Sequence, residues 1–551
     1  MHPGLILIFF GLLSLLIPNK FYRYSLLLGS FFSLYFSFAI SELDSLTLNY
    51  LSYELSLLRV DGLSKVFVII FSLMSFVGLI FAWNQKNKIE LISAFIYSGS
   101  AIGAVLAGDI FSLFFFWEVM AIASTLLILS PNTKNSSEVA FRYAMVHLGG
   151  GVILMAGLSG YVATAESIYF ENFDLKTIYE WLILIGFLVN AGAPPFSSWI
   201  ADSYPEASFS GSVFLSAFTT KTAVYAILRG FPGHEILIYI GLFMIFYGIV
   251  YALLENDMRR ILSYSIVNQV GFMIVGAGIG TEMAINGAAS HAFAHIIYKA
   301  LLLMSAGSVL LMTGRRKCSE LGGLFQTMPL TMVCGTIGAF AISAFPLTSG
   351  FVTKSMISTS AGEEHMFIVW LLLAAASAGV FLHAGIKFPW FVFFQKDSGL
   401  RPPDPPVNMR FAMIFLSVLC LLIGIFPQYL YSILPYTVEY IPYTYSHVLF
   451  QLQLLLFAGF AFFVMLPFLK RTETISLDID WFFRVFLFNL VSKLYPKKII
   501  THFNSFLSRN LNLLIKNFFS GNTFIRNISS GEMTQFVGTL FAIYLFVLFL
   551  I

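Results

Sequence analysis

An all-α polytopic membrane protein of about sixteen transmembrane helices is predicted by three features of this 551-residue chain. Of its residues, 58% are hydrophobic and only 11% charged, whereas soluble domains carry about 25% charge. Apolar runs of about 20 residues, the length that crosses a hydrocarbon layer, recur from one end to the other. Most of the basic residues fall in every second gap between those runs.

The runs place spans at 4–18, 22–40, 60–84, 90–108, 110–130, 140–163, 178–198, 205–229, 235–255, 260–279, 284–312, 326–350, 366–394, 409–430, 447–468 and 534–551. Gaps after odd-numbered spans hold Lys20, Arg23, Lys86, Lys88, Lys134, Arg259, Arg260, Arg315, Arg316, Lys317, Lys396, Arg401, Arg410, Lys470 and Arg471. Gaps after even-numbered spans hold Glu42, Asp44, Glu171, Asp174 and Glu282, with the exceptions Arg59 and Lys176 at span edges. The positive-inside rule then puts the odd gaps in the cytoplasm and the N-terminus outside. The first run lacks a basic leader and a small-residue cleavage site, so it reads as a retained span. Five regions follow: N-terminal spans 1–107, a core at 108–395, further spans at 396–471, a lateral segment at 472–530 and a terminal helix at 531–551. The lateral segment mixes Phe and Leu with Lys493, Lys497, Lys498, Arg509 and Lys516, the pattern of an amphipathic helix lying at the cytoplasmic interface against lipid or a partner. The Pro-rich stretch 395–408 reads as a linker.

Two segments break the apolar pattern. One carries Gly192, Pro194 and Pro195, with Lys221 in the apolar segment that follows; the other carries Pro346 and Gly350 ahead of Lys354. Proline removes backbone bonds from the helical ladder, and hydrocarbon tolerates such groups only inside protein or beside a wet cavity. The two breaks are five spans apart, an odd offset. That is the pattern of two inverted five-helix repeats with discontinuous helices.

Titratable residues inside spans are functional candidates. Glu118 sits mid-span, where desolvation disfavours the charged form and suits proton uptake and release, unless it pairs structurally with a cation. Lys221 lies about 12 Å from its span end at helical rise, too deep for easy snorkelling. His291, His295 and Lys299 repeat every four residues on one helix face and suit a proton file; helix packing and metal binding are the other readings. Lys354 and Lys387 suit a relay or an interfacial anchor. His147 and Arg142 suit support of Glu118, Arg142 also suiting a span-end anchor. Gly99, Gly103, Gly149, Gly150 and Gly151 suit close helix packing. The sequence GAGIG at 276–280 follows no strand and is no nucleotide loop. Cys318, Cys334 and Cys420 have no spacing that suits zinc or an iron–sulfur cluster. No cofactor, resident metal or nucleic-acid partner is expected, and no redox site lies in this chain.

Several motifs carry a family resemblance: GDIFSLFFFWE at 108–118, GAPPFSSWIADSYPEA at 192–207, NDMRRILSYSIVNQVGF at 256–272, HAFAHIIYKALL at 291–302 and FPLTSGFVTK at 345–354. The chain resembles the antiporter-like membrane subunits shared by respiratory complex I, membrane-bound hydrogenases and Mrp-type Na⁺/H⁺ antiporters, in wording most like the Mrp subunits of the D type. The resemblance implies a polar axis at mid-membrane formed by Glu118, Lys221, His291, His295, Lys299 and Lys354, with Asp257 and Arg259 in support. It also implies a multisubunit partner complex, proton translocation with Na⁺ as the candidate counter-ion, and the bacterial cytoplasmic (inner) membrane. The alternative is a redox-driven pump subunit of a complex I-like oxidoreductase or a hydrogenase; a non-conducting scaffold would leave costly charges idle in the bilayer. The family's seventh-span lysine is matched here by Asn190. Its amide oxygen beside Glu118, with Ser216, Thr219 or Thr220, would make a hard-oxygen set for transient Na⁺. Otherwise Asn190 hydrogen-bonds backbone freed at the Gly192–Pro195 break.

Overall fold

The computed structural model describes residues 1–468 apart from 51, 52 and 166, and residues 478–487 apart from 480. The chain divides into two units, Met1–Ser476 and Leu477–Ile551. In the second, the described residues include a short wide-turned helix, Phe482–Leu487. The expected lateral segment, apart from 478–487, and the terminal helix lie outside the described residues.

The first unit is a helical bundle. Its elements in order are α1 (Pro3–Leu16), α2 (Tyr22–Ala39), β1 (Leu46–Tyr50), β2 (Tyr53–Leu58), α3 (Gly62–Phe81), α4 (Lys88–Leu106), α5 (Ile110–Leu129), α6 (Lys134–Ala165), α7 (Ile178–Ala191), α8 (Ser198–Ser203), α9 (Gly211–Ala217), α10 (Thr219–Gly230), α11 (Ile236–Leu254), α12 (Met258–Ile279), α13 (Glu282–Thr313), α14 (Pro329–Ile342), α15 (Ser349–Glu363), α16 (Phe367–Val380, continued by wide turns to Phe394), α17 (Val407–Ile425), α18 (Gln428–Tyr431) and α19 (Tyr445–Val464). Among the described residues, eleven helices are long and apolar enough to cross a membrane, and α1, α7 and α14 are shorter apolar helices. The protein is an integral membrane protein. The β1–β2 hairpin corrects the all-helical expectation: the gap between the second and third spans folds as an antiparallel pair. Its strands alternate Leu with Thr, Asn, Glu and Ser, and it sits outside the apolar runs.

The apolar stretches of the span from Gly211 to Gly230 and of helix α12 are buried in the bundle. α1, α2, α17 and α19 turn large apolar side chains outward, with Phe38, Phe411 and Phe457 more than half exposed, as lipid-facing helices should. Close packing at glycine brings α11 against α12: a Cβ on Gly241 would lie 2.7 Å from the Gly271 carbonyl oxygen. The same argument holds for Gly99, where a Cβ would lie 2.6 Å from the Gly4 carbonyl oxygen. Gly149 differs from the expectation and faces open space.

Structural landmarks recur at one fixed interval. Asp109 caps α5 and Asp257 caps α12, 257 minus 109, or 148 residues, apart. α6 and α13 are each 32 residues long, and their first residues, 134 and 282, are again 148 apart. The isolated bridge Asp109–Tyr169 has its counterpart in Asp257–Lys317 at the same interval. An Asp at the N-cap accepts the first free amides of its helix, so each fixes where a span begins. At 1.5 Å per residue a 32-residue helix is about 48 Å long, more than a bilayer core, so the two ends of α13 lie on opposite faces. A cysteine placed near Arg316 should therefore label with an impermeant reagent only from the cytoplasm, and one near Glu282 only from outside. The reverse pattern would refute the charge-bias orientation.

Candidate functional site

Both chain breaks lie where the sequence places them, at Gly192 and at the turn that holds Pro346, and the structure adds detail to each. Gly192, at φ 78°, ends α7 as a left-handed cap, a conformation that glycine adopts without steric cost. The prolines behind it lead into α8, and Trp199 Nε1 donates to the Val189 carbonyl. The discontinuity of the following span lies at Phe218, between α9 and α10, where neither glycine nor proline marks it. In the second case the break is the turn 343–348 between α14 and α15, and Lys354 lies within α15 rather than at the end of the earlier span. Ala344 and Leu347 take positive φ there.

A lysine sits on the freed carbonyls at each break. Lys221 Nζ donates to the Ser216 carbonyl at 2.7 Å and to Thr220 Oγ1 at 3.0 Å. Lys354 Nζ donates to the Ile342 carbonyl at 3.1 Å, with the Phe272 ring 4.7 Å away. Both ammonium groups occupy the C-terminal end of a half-helix, where the helix dipole and unpaired carbonyls favour a cation. Lys387 does the same at α11: it donates to the carbonyls of Ala252, Leu253 and Glu255. Neither a relay nor an aromatic-flanked anchor anticipates that helix-capping geometry.

Between the breaks runs α13, whose His291, His295 and Lys299 are fully buried. His291 contacts Gln269 Oε1 at 3.1 Å through Nε2 and Thr353 Oγ1 at 3.3 Å through Nδ1. Tyr298 donates to the same Gln269 oxygen. Thr353 precedes Lys354, so this chain of contacts joins the histidine file to the second break. Lys299 donates to Ser265 Oγ and to the Leu262 carbonyl. Neither ring nitrogen of His295 has a protein partner. Gln269 and Tyr298 join this cluster, and the sequence reading misses both, although an amide inside an apolar span is a signal available there.

The first half is built around α6. Glu118 Oε1 is buried without a protein partner, and a Cβ at Gly151 would lie 2.2 Å from it. Gly151 therefore makes room for the carboxylate. His147 lies one turn earlier on the same helix face. Its Nδ1 meets Asn190 Oδ1 at 2.9 Å, and its ring packs on Tyr143 and Trp199. This gives Asn190 a partner that neither sequence reading named. Ser216 Oγ donates to the Val213 carbonyl, Thr219 Oγ1 meets Tyr97, and Thr220 Oγ1 meets Lys221. Tyr143 donates to Ser124. Arg142 forms a two-point ion pair with Asp202 and takes no part around Glu118. Gly151 and Lys299 are also 148 residues apart, 299 minus 151. The first half thus leaves space on α6 for an acid from α5, while the second places a base on α13 against a serine of α12.

Asp257 and Arg259, at the start of α12, hold the 204–208 loop of the first half. Arg259 is 2% exposed and donates to the carbonyls of Pro205, Ala207, Tyr204 and Ser208. Arg316 bridges Asp257 and Glu206. Buried Glu90 accepts from Ser208 and Ser210 on the same loop. The loop that leads into α9 is held from two sides.

The family described as NADH:quinone oxidoreductase/Mrp antiporter, TM, matches residues 107–381. Over 333 residues the chain is 28% identical to the D-type subunit of the Na(+)/H(+) antiporter of Alkalihalophilus pseudofirmus, covering 56% of this chain and 68% of that one. Over 404 residues it is 27% identical to NADH-quinone oxidoreductase subunit M of Pseudomonas aeruginosa, covering 67% and 79%. Its fold is similar to a chain in the solved Mrp complex of Dietzia sp. DQ12-45-1b, with a TM-score of 0.70 at 19% identity over 78% of this chain and 96% of that one. With the matching motifs distributed over the breaks, the histidine file and Glu118, the chain belongs to the antiporter-like membrane subunits of the NADH:quinone oxidoreductase/Mrp antiporter family.

Proposed function

We propose that this chain is the proton-translocating subunit of a multisubunit cation/proton antiporter of the Mrp type, in the bacterial cytoplasmic membrane with its N-terminus outside. The single observation that carries the reading is the lysine at each helix break, Lys221 and Lys354, each on the carbonyl freed by its break. A proton that leaves such a lysine removes the charge that holds the two half-helices together, so protonation and local geometry are linked. His291, His295 and Lys299 carry the proton between halves, Glu118 serves the first half, and Lys387 serves α11. The constant interval of 148 residues supports two inverted repeats.

Protons, rather than Na⁺, suit Glu118 in this geometry. Asn190 turns its oxygen to His147, which leaves its NH₂ without a protein partner, and an amide donor repels a cation. The redox-driven reading shares the same machinery, and it is favoured by the 79% of the NADH-quinone oxidoreductase subunit M that this chain covers. The test uses the intact complex in proteoliposomes. An antiporter collapses an imposed ΔpH on addition of Na⁺ or K⁺ without any electron donor. A ΔpH that responds only when a donor and quinone are supplied favours the redox reading. In the same preparation, the infrared band of the Glu118 carboxyl should titrate independently of Na⁺. A midpoint that falls as Na⁺ rises, and stops doing so in Asn190→Lys, would restore the Na⁺ site.

A further inference from the structure

Helices α14 and α17 enter the bundle side by side from the same face. The tie is Asp404, three residues ahead of α17, which accepts from the Leu330 and Thr331 amides and from Thr331 Oγ1 at the start of α14. Between the two helices runs a groove of about 450 Å³. Pro329, Val333 and Ile337 form one wall, and Ile414, Val418 and Leu421 form the other. The Ser417 hydroxyl on that second wall is spent on the Met413 carbonyl, and Cys334 is buried. The groove therefore offers an occupant apolar contact alone. It opens outward, since Val333 is 49% exposed and Val418 47%.

Two observations say what fills it. The first is length. Pro329 and Ile337 are eight residues apart, about 12 Å at helical rise, less than half of a hydrocarbon core about 30 Å thick. The groove starts at the helix N-termini, so it occupies one leaflet. A membrane-crossing helix of a partner would need a seat along the whole depth, whereas an acyl chain of that leaflet would not. The second is charge. Arg410 precedes Ile414, Ser417 and Leu421 by four, seven and eleven residues, the spacing of one helix face, and so stands at the mouth of the groove. It is half-buried, its Nε has no protein partner, and among the described residues no acid pairs with it. The acids of the preceding linker are committed elsewhere: Asp404 to the α14 N-terminus, and Asp397 to Arg401. A guanidinium left over at the end of an apolar groove matches a phosphate that carries an apolar chain.

We propose that the α14–α17 groove binds an anionic phospholipid, with one acyl chain between the helices and the headgroup phosphate on Arg410. By the charge bias the leaflet is the cytoplasmic one, where anionic headgroups favour basic residues near the surface. The chain so placed packs on α14, the half-helix whose Ile342 carbonyl receives Lys354. The inference needs the membrane setting and not the transport reading.

The test uses the intact complex in matched vesicles that contain phosphatidylglycerol or phosphatidylcholine, each with a photoactivatable group in one acyl chain and at equal mole fraction. Phosphatidylglycerol should cross-link to peptides 329–337 and 414–421 about fivefold more than phosphatidylcholine, the contribution of one basic residue at an anionic surface. Arg410→Gln should reduce that labelling to the phosphatidylcholine level, and Arg410→Lys should retain most of it. Val333→Trp, which fills the groove, should lower labelling of the α17 peptide by both lipids. Should Arg410→Gln fail to assemble, the wild-type preference should shrink as salt is raised, because salt screens an exposed charge pair. Equal labelling by the two lipids, or a preference indifferent to Arg410→Gln or to salt, would overturn the site. Failure of either lipid to reach these peptides would overturn it too, and would assign the groove to a partner subunit.

Discussion

Lys221→Ala should lower ΔpH-linked proton transport by about 10²–10⁴-fold, the range a positioned proton-transfer group supplies, while the complex still assembles. The residue is fully buried, and its ammonium contacts the Ser216 carbonyl and Thr220. Alanine removes the charge at the Phe218 break and the donor to the Ser216 carbonyl. Lys221→Arg separates the two roles of the side chain. Arginine can cap the same carbonyl but does not release a proton in proteins, so a relay predicts loss of transport in this variant too, and a purely structural cap predicts retention. Glu118→Ala should behave like Lys221→Ala, because Gly151 holds space for that carboxylate. Transport at the wild-type rate in inverted vesicles would remove the tested residue from the pathway.

Arg259→Ala should cost assembly rather than turnover. Its guanidinium satisfies four backbone carbonyls of the 204–208 loop, and removing one partner of a buried charged network costs about 3–5 kcal/mol. The loop feeds α9, so the first break loses its mooring as well. The measurement is the amount of complex in the membrane and its unfolding temperature in detergent. Arg259→Lys keeps the charge but loses the planar fork that reaches several carbonyls at once, and should fall between wild type and alanine. Normal abundance and stability in Arg259→Ala would show that the Glu90 contacts with Ser208 and Ser210 suffice to hold the loop.

The residues of the proposed pathway are legible in the sequence because charge inside an apolar run is costly and therefore conspicuous. Glu118, Lys221, His291, His295, Lys299 and Lys354 stand out against their neighbours for that reason alone. The four-residue spacing of His291, His295 and Lys299 placed them on one helix face, and α13 bears this out. The lengths of the apolar segments pointed to membrane-crossing helices without reference to any contact.

Tertiary structure decided what those groups touch. The Phe218 break has no local signature, since it follows from packing around Tyr97 and Thr219 and from a lysine that pairs with the freed carbonyl. Asn190 took a partner from a neighbouring helix, His147, that no spacing within its own segment could reveal. Lys387 turned out to hold the end of α11, 135 residues earlier in the chain at its furthest contact. The serines, His447 and Gln451 gathered near Lys354 come from three helices, and each looks unremarkable in isolation. Periodicity and transfer cost are properties of one segment and can be read from it. The partner of a buried polar group depends on which helices meet, and only the folded bundle determines that.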